Sequence, residues 1–139
     1  MDRIISIIIL VLFQLSNVSS FGQDSAELES TKERLFIKLD TMYFNKSVSD
    51  PHLYFLKNLT PSTGIFFKTI SSSLKEEHNK IWDLEKFVAP LQFYSKDRRI
   101  ITKMPQFMNY LNEHYIVYLV DYDADKFYYY KVSFGFMIE

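Results

Sequence analysis

Residues 115–138 read YIVYLVDYDADKFYYYKVSFGFMI, and this stretch carries the strongest strand signal in the chain. Apolar and polar side chains alternate through two segments, 115–123 and 127–138, with the period of a β-strand that has one buried face. The even-numbered positions carry the apolar set: Ile116, Tyr118, Val120, Tyr122, Tyr128, Tyr130, Val132, Phe134, Phe136 and Ile138. The stretch therefore predicts an antiparallel hairpin at the end of a sheet.

The loop of this hairpin is predicted from the alternation. Both apolar sets must reach the same face of the sheet, because a slip of one residue turns every side chain over. Even positions oppose even positions only across a loop with an odd number of residues. We therefore predict a loop of three residues, Ala124 to Lys126, or a longer one of five, and no pairing of Asp123 with Lys126.

Three helices are predicted before the hairpin. Apolar residues recur at helical spacing over about 26–43. Pro51 follows an aspartate and suits the first position of a short helix over about 51–59. A longer helix is predicted over 73–89, where Pro90 ends it.

The remaining segments are less regular. Short strands are predicted over 91–95 and 99–102. Within the undecided segment 60–72, residues 60–64 have the composition of a turn and 65–70 fit either a buried strand or a helical turn. Within the undecided segment 104–113, residues 105–112 fit one or two helical turns. Helices on one face of an antiparallel sheet make an α+β domain, so the prediction is N-terminal helices packed on a C-terminal antiparallel sheet. This order of elements resembles the cone-shaped folds of the nuclear-transport-factor-2-like kind, and the resemblance implies a curved sheet with a possible pocket.

The N-terminus has the pattern of a secretory signal peptide. Residues 4–13 are almost entirely apolar, which is too short for a membrane-spanning helix but typical of a signal-peptide core. Small residues permit cleavage after Ser20 or after Gly22, and the second site is preferred. The predicted organisation is a signal peptide over 1–22 and a single domain over 23–139.

Composition excludes several classes of function. The chain has no cysteine, so it has no disulfide, no thiol nucleophile and no lipid-modified cysteine of the bacterial lipoprotein kind. Its net charge of −1 gives no reason to expect nucleic acid, and three glycines leave no room for a glycine-rich phosphate loop. We expect an exported, soluble domain, periplasmic or secreted, that is not embedded in a membrane and needs no cofactor.

Four tyrosines are the candidate ligand-binding residues: Tyr118, Tyr122, Tyr128 and Tyr130. The predicted register places them on one face of the hairpin. Ordinary core packing explains such a set, but four phenolic hydroxyls on one face are also typical of the mouth of a pocket or of an interface with a partner protein.

Other constellations favour structural explanations. The three histidines, His52, His78 and His114, lie in separate segments, and no catalytic motif accompanies them. The spacing of Asp121, Asp123 and Asp125 opens like a calcium loop, but Lys126 and Val132 stand where that loop requires glycine and glutamate. No metal site is therefore predicted. The basic residues Lys96, Arg98, Arg99 and Lys103 fit a solvated hairpin tip, or else a contact for a phosphate or an acidic polymer.

The function that this pattern favours is a non-enzymatic domain that binds a small ligand, a polymer or a partner protein through its tyrosine-rich sheet face. The alternative is a small enzyme of the hydrolase or isomerase type, with a histidine or carboxylate base in a pocket of the sheet. An aromatic pocket into which a histidine or carboxylate converges would favour the enzyme, whereas a flat tyrosine face would favour the binding domain.

Overall fold

About half of the described chain is β-strand. A computed structural model describes residues 31–61, 64–75 and 80–137, with only the backbone of Lys75. Strands make up 49% of these residues and helices 16%. The predicted signal peptide, the beginning of the first predicted helix, and His78 lie outside the described residues.

The described elements belong to one compact unit, Glu33–Glu139. Their order along the chain is β1 (Glu33–Lys38), β2 (Phe44–Lys46), β3 (Leu53–Leu56), β4 (Ile65–Lys75), β5 (Ile81–Trp82), α1 (Leu84–Val88), β6 (Tyr94–Ser95), β7 (Ile100–Ile101), α2 (Met104–His114), β8 (Tyr115–Asp123) and β9 (Lys126–Phe136).

Seven of the strands form one mixed sheet in the order β2-β3-β4-β9-β8-β1-β5, which curls into a half-barrel. The long strands β4, β9 and β8 pair antiparallel at its centre. β1 lies parallel to both of its neighbours, β8 and β5. Strands β6 and β7 form a separate two-stranded ribbon.

The two faces of the sheet carry different side chains. We call one the core face; it carries Leu35, Ile37, Val117, Leu119 and Val132, all of which belong to the main hydrophobic cluster. The other, the second face, carries the alternate residues of the same strands: Phe36, Tyr118, Val120, Tyr122, Phe127, Tyr129 and Lys131.

Both helices contribute side chains to the core. Helix α1 is capped by Asp83, whose carboxylate accepts a hydrogen bond from the backbone N–H of Lys86 at 3.1 Å. Helix α2 has Pro105 in its first turn, where the missing N–H needs no acceptor. Its buried residues are Met104, Phe107, Met108 and Leu111. Within the described ranges, neither helix has the length and apolar character needed to cross a membrane.

The predicted helices over 26–43 and 51–59 are wrong where the structure describes them. β1 occupies Glu33–Lys38, and β3 occupies Leu53–Leu56. The aspartate before Pro51 does not cap a helix. Its carboxylate accepts the backbone N–H of His52 at 2.9 Å, so the pair forms a turn into β3.

The predicted helix over 73–89 is correct only at its end. Residues up to Lys75 still belong to β4, and the chain makes strand β5 before helix α1 begins at Leu84. The undecided segment 60–72 contributes most of strand β4, and the segment 104–113 is helix α2.

The predicted hairpin exists, but its predicted register is wrong. Asp123 pairs with Lys126 across a loop of two residues, Ala124 and Asp125. Both loop residues have positive φ, 48° and 68°, as a type I′ turn requires. Even positions of β8 therefore oppose odd positions of β9. The even–odd rule failed because both faces of this hairpin carry apolar side chains.

The predicted fold class is consequently wrong as well. N-terminal helices packed on a C-terminal antiparallel sheet are not observed, since the described N-terminal segments are strands of a mixed, curled sheet. The resemblance to the nuclear-transport-factor-2-like cone does not hold for the same reason.

Candidate functional site

A groove of about 600 Å³ opens where β5 and the start of α1 lie beside the end of β8. Its lining combines three lysines, one carboxylate, two aromatic rings and two aliphatic side chains. The lining residues are Lys38, Lys80, Ile81, Trp82, Asp83, Lys86, Val120 and Tyr122. A concave site with aromatic walls and a few charged groups has the composition of a ligand-binding site.

Parallel pairing of β1 with both neighbours places these residues together. Lys38 lies opposite Val120 of β8, and the preceding residue of β1, Ile37, lies opposite Trp82 of β5. Lys38, Val120 and Tyr122 share the second face because they alternate with core residues along their strands. The groove thus extends from the second face to the edge of the sheet at β5.

The groove carries an excess of positive charge. Three exposed lysine side chains, Lys38, Lys80 and Lys86, face a single carboxylate, Asp83. Within the described ranges, none of these lysines takes part in a salt bridge. The ammonium of Lys80 instead lies 3.9 Å from the ring centroid of Trp82, which is a cation–π contact. Unpaired ammonium groups in a concave site raise the local concentration of anions.

Aromatic rings continue from the groove along the second face. Phe36 stacks on Tyr118 with ring centroids 5.2 Å apart and meets Tyr129 edge-on at 5.3 Å. Tyr122 packs against Phe127 at 4.9 Å. Its exposed fraction is 57%, which is large for an aromatic side chain. The second face therefore presents an accessible ring beside the groove.

The orientation of the Tyr122 ring is set by the hairpin turn. Its hydroxyl donates a hydrogen bond to the carboxylate of Asp125 at 2.7 Å. This hydrogen bond, together with the negative charge of Asp125, raises the pKa of the Tyr122 phenol. The ring is thus held in one orientation without being buried, which reduces the entropy that a ligand must overcome.

The four predicted tyrosines do not share a face. Tyr118 and Tyr122 lie on the second face, whereas Tyr128 and Tyr130 lie on the core face. Burial, followed by the charge of Asp121, raises the pKa of the Tyr130 phenol. Of the four, only Tyr122 lines the groove.

Sequence reasoning missed the rest of the lining, chiefly Trp82 and its neighbouring lysines. The reason is that residues 73–89 were assigned to a helix, which hid the edge strand β5. One signal was present: the chain contains a single tryptophan, and charged residues, Lys80 and Asp83, stand close to it in sequence. The structure places this indole at the border of the core, half-buried and edge-on to Phe87 at 5.8 Å.

A second polar cluster is centred on Glu85 of α1. Arg99 donates two hydrogen bonds to its carboxylate, each 3.0 Å long, and they form a bidentate ion pair. The hydroxyls of Tyr43 and Tyr94 donate two more, at 3.0 and 2.7 Å. The predicted basic cluster is thereby partly accounted for, since its Arg99 binds this carboxylate.

These contacts shift the ionisation of the whole cluster. Hydrogen bonds from Arg99, then from Tyr94, lower the pKa of Glu85 to about 2. Burial and the hydrogen bond to Glu85 raise the pKa of Tyr43 to about 12. A carboxylate with four donors and so low a pKa is a poor proton acceptor near neutral pH. We therefore interpret the cluster as structural: its hydrogen bonds connect α1 to β6 and to the turn before β2.

The remaining candidates from the sequence do not assemble. His52 is exposed at the start of β3, and His114 ends α2, where its ring packs against Tyr110 at 4.9 Å. Neither histidine lines the groove. Over the described ranges, no three side chains of histidine, aspartate or glutamate are grouped so that they could hold a metal ion.

Comparison with known protein families, with curated proteins and with solved structures gave no match.

Proposed function

We propose that this chain is an exported, non-enzymatic binding domain that holds its ligand in the groove beside Tyr122. The observation that carries the proposal is the exposed, oriented ring of Tyr122 in the wall of a groove of about 600 Å³ that Trp82 also lines. A groove of this volume is in the range of small-molecule and oligomer sites. The lining includes neither described histidine, and its described carboxylate, Asp83, is engaged as the cap of α1, which supports binding over acid–base chemistry.

Export is part of the proposal and rests on the apolar run at residues 4–13 and the small residues that follow it. We expect the protein recovered outside the cytoplasm to begin at Gln23. Intact-mass measurement of the exported protein checks this. A mass that includes Met1 to Gly22 would contradict cleavage.

The binding proposal predicts different effects for two tyrosines of the same hairpin. Tyr122→Ala removes a groove wall and is expected to weaken ligand binding about 5- to 10-fold, the size of a lost aromatic contact. Tyr128→Ala is the matched control, because Tyr128 lies on the core face of the same hairpin and outside the groove. Its effect on binding is expected to stay within about 2-fold.

The measurement is affinity electrophoresis of both variants in native gels that contain neutral or acidic polysaccharides, with circular dichroism to show that each variant is folded. A polymer whose retention falls only in Tyr122→Ala supports the proposal. The proposal would be overturned if both variants lost retention equally. It would also be overturned if no polysaccharide retained the wild-type protein.

A further inference from the structure

We infer that the groove is selective for acidic saccharides, that is, for sugar chains bearing carboxylate or sulfate groups. This inference rests on the proposed function and adds the chemical class of the ligand. It is carried by the three lysines of the groove, Lys38, Lys80 and Lys86, which come from three separate segments of the chain.

The distribution of charge favours a ligand with several separate anionic groups. Lys38 ends β1, Lys80 precedes β5, and Lys86 lies in α1, so the three ammonium groups belong to different parts of the lining. Lysine acts as a strongly hydrated point charge, whereas bidentate recognition of one phosphate or carboxylate normally uses arginine. None of the described arginines lines the groove.

The uncharged lining favours rings over extended chains. Tyr122 offers a largely exposed, flat apolar surface, against which the C–H face of a sugar ring can pack. Trp82 contributes the part of its half-buried ring that is not covered by Phe87 and Lys80. An acidic peptide would most readily bind by adding a strand to the sheet edge. The edge strand beside the groove, β5, has only two residues, which is too short for that mode. A nucleic acid would call for a basic domain, and this chain has a net charge of −1.

One counter-charge lies in the groove but is already engaged. The carboxylate of Asp83 accepts the backbone N–H of Lys86 as the cap of α1. Among the lining residues that the structure describes, its negative charge leaves an excess of two positive charges. Attraction of this kind is screened by salt, so binding is expected to weaken between about 10 and 300 mM salt.

The test compares two double variants that change the net charge equally. Lys38→Gln with Lys86→Gln removes two groove charges and leaves the contact of Lys80 with Trp82 intact. Lys96→Gln with Lys103→Gln is the control, because both of these lysines are exposed and neither lines the groove. The probes are polygalacturonate, dextran sulfate, neutral dextran, polyglutamate and a single-stranded DNA oligonucleotide.

We expect polygalacturonate or dextran sulfate to bind more tightly than the other three probes. Which of the two binds better distinguishes carboxylate from sulfate recognition. The groove variant is expected to lose affinity about 10-fold, at about 2- to 5-fold for each lysine, while the control changes less than 2-fold.

Three outcomes would overturn the inference. The first is equal affinity for neutral dextran, the second is tighter binding of polyglutamate or DNA, and the third is an equal loss in both double variants. If Tyr122→Ala still weakens binding in any of these cases, the proposed function stands and only the ligand class fails. If no probe binds the wild-type protein at low salt, both fail together.

Discussion

Phe67→Ala is expected to lower the free energy of unfolding by about 3–5 kcal/mol, the usual cost of truncating a fully buried phenylalanine. Phe67 has 1% of its surface exposed. Its ring lies edge-on to Phe44 at 5.5 Å and tilted to Phe134 at 5.8 Å, so it joins strands β2, β4 and β9. The cavity left by the ring would remove contacts from all three strands at once.

The measurement is urea unfolding at pH 7, with Phe136→Ala as the matched control. Phe136 lies in β9, but 42% of its surface is exposed, so its loss is expected to cost about 1 kcal/mol or less. Equal destabilisation by the two substitutions would contradict the position of the core described above.

Glu85→Ala is expected to lower the free energy of unfolding by about 2 kcal/mol at pH 7, because it removes charge-assisted hydrogen bonds and leaves two tyrosine hydroxyls without their acceptor. The exposed Arg99 contributes less than its geometry suggests, since water screens its charge. The matched control is Glu113→Ala on the exposed side of α2, with an expected change within about 0.5 kcal/mol.

The destabilisation caused by Glu85→Ala is expected to become smaller as the pH falls. The pKa of Glu85 is about 2 in the folded protein, against an ordinary value of 4.5. The unfolded chain therefore takes up the proton first as the pH falls, so the contribution of Glu85 is complete above about pH 4.5 and is lost toward pH 2. Urea unfolding at pH 7, 4 and 3 checks this. If the difference in free energy of unfolding between wild type and variant were the same at all three pH values, the ionised Glu85 would not stabilise the fold.

In the hairpin, the alternation of apolar and polar residues predicted the strands but not their register. Alternation correctly located strands β8 and β9 to within a residue or two of their observed ends. Alternation did not determine the register of the two strands, because both faces are buried in places. Tyr129 and Val120 on the second face are as well buried as the residues on the core face. The turn residue Ala124 also hid the type I′ turn, which is usually marked by asparagine or glycine.

The false helices have a related cause. β1 has one buried face, which carries Leu35 and Ile37, and on its other face only Phe36 is apolar. With Leu35, Phe36 and Ile37 adjacent in the sequence, their spacing matched a helix about as well as a strand. Only the pairing with β8, about 80 residues later in the chain, decides between the two, and that contact is not readable from local pattern.

The candidate site was predictable only in part. Tyr122 was found because its side chain belongs to the regular hairpin. The lysines and Trp82 were not, because the groove depends on where β5 joins the sheet beside β1. Long-range pairing of two-residue strands leaves almost no periodic signal in a sequence.

Chemical-shift mapping locates the bound ligand on the protein: the isotope-labelled wild-type protein is titrated with trigalacturonate at low salt. We expect shifts at the Trp82 indole N–H and at the backbone amides of Lys38, Val120 and Tyr122, with Tyr128 unaffected. Shifts confined to the core-face tyrosines, or none at saturating concentrations of either trigalacturonate or a sulfated oligosaccharide, would contradict binding in the groove.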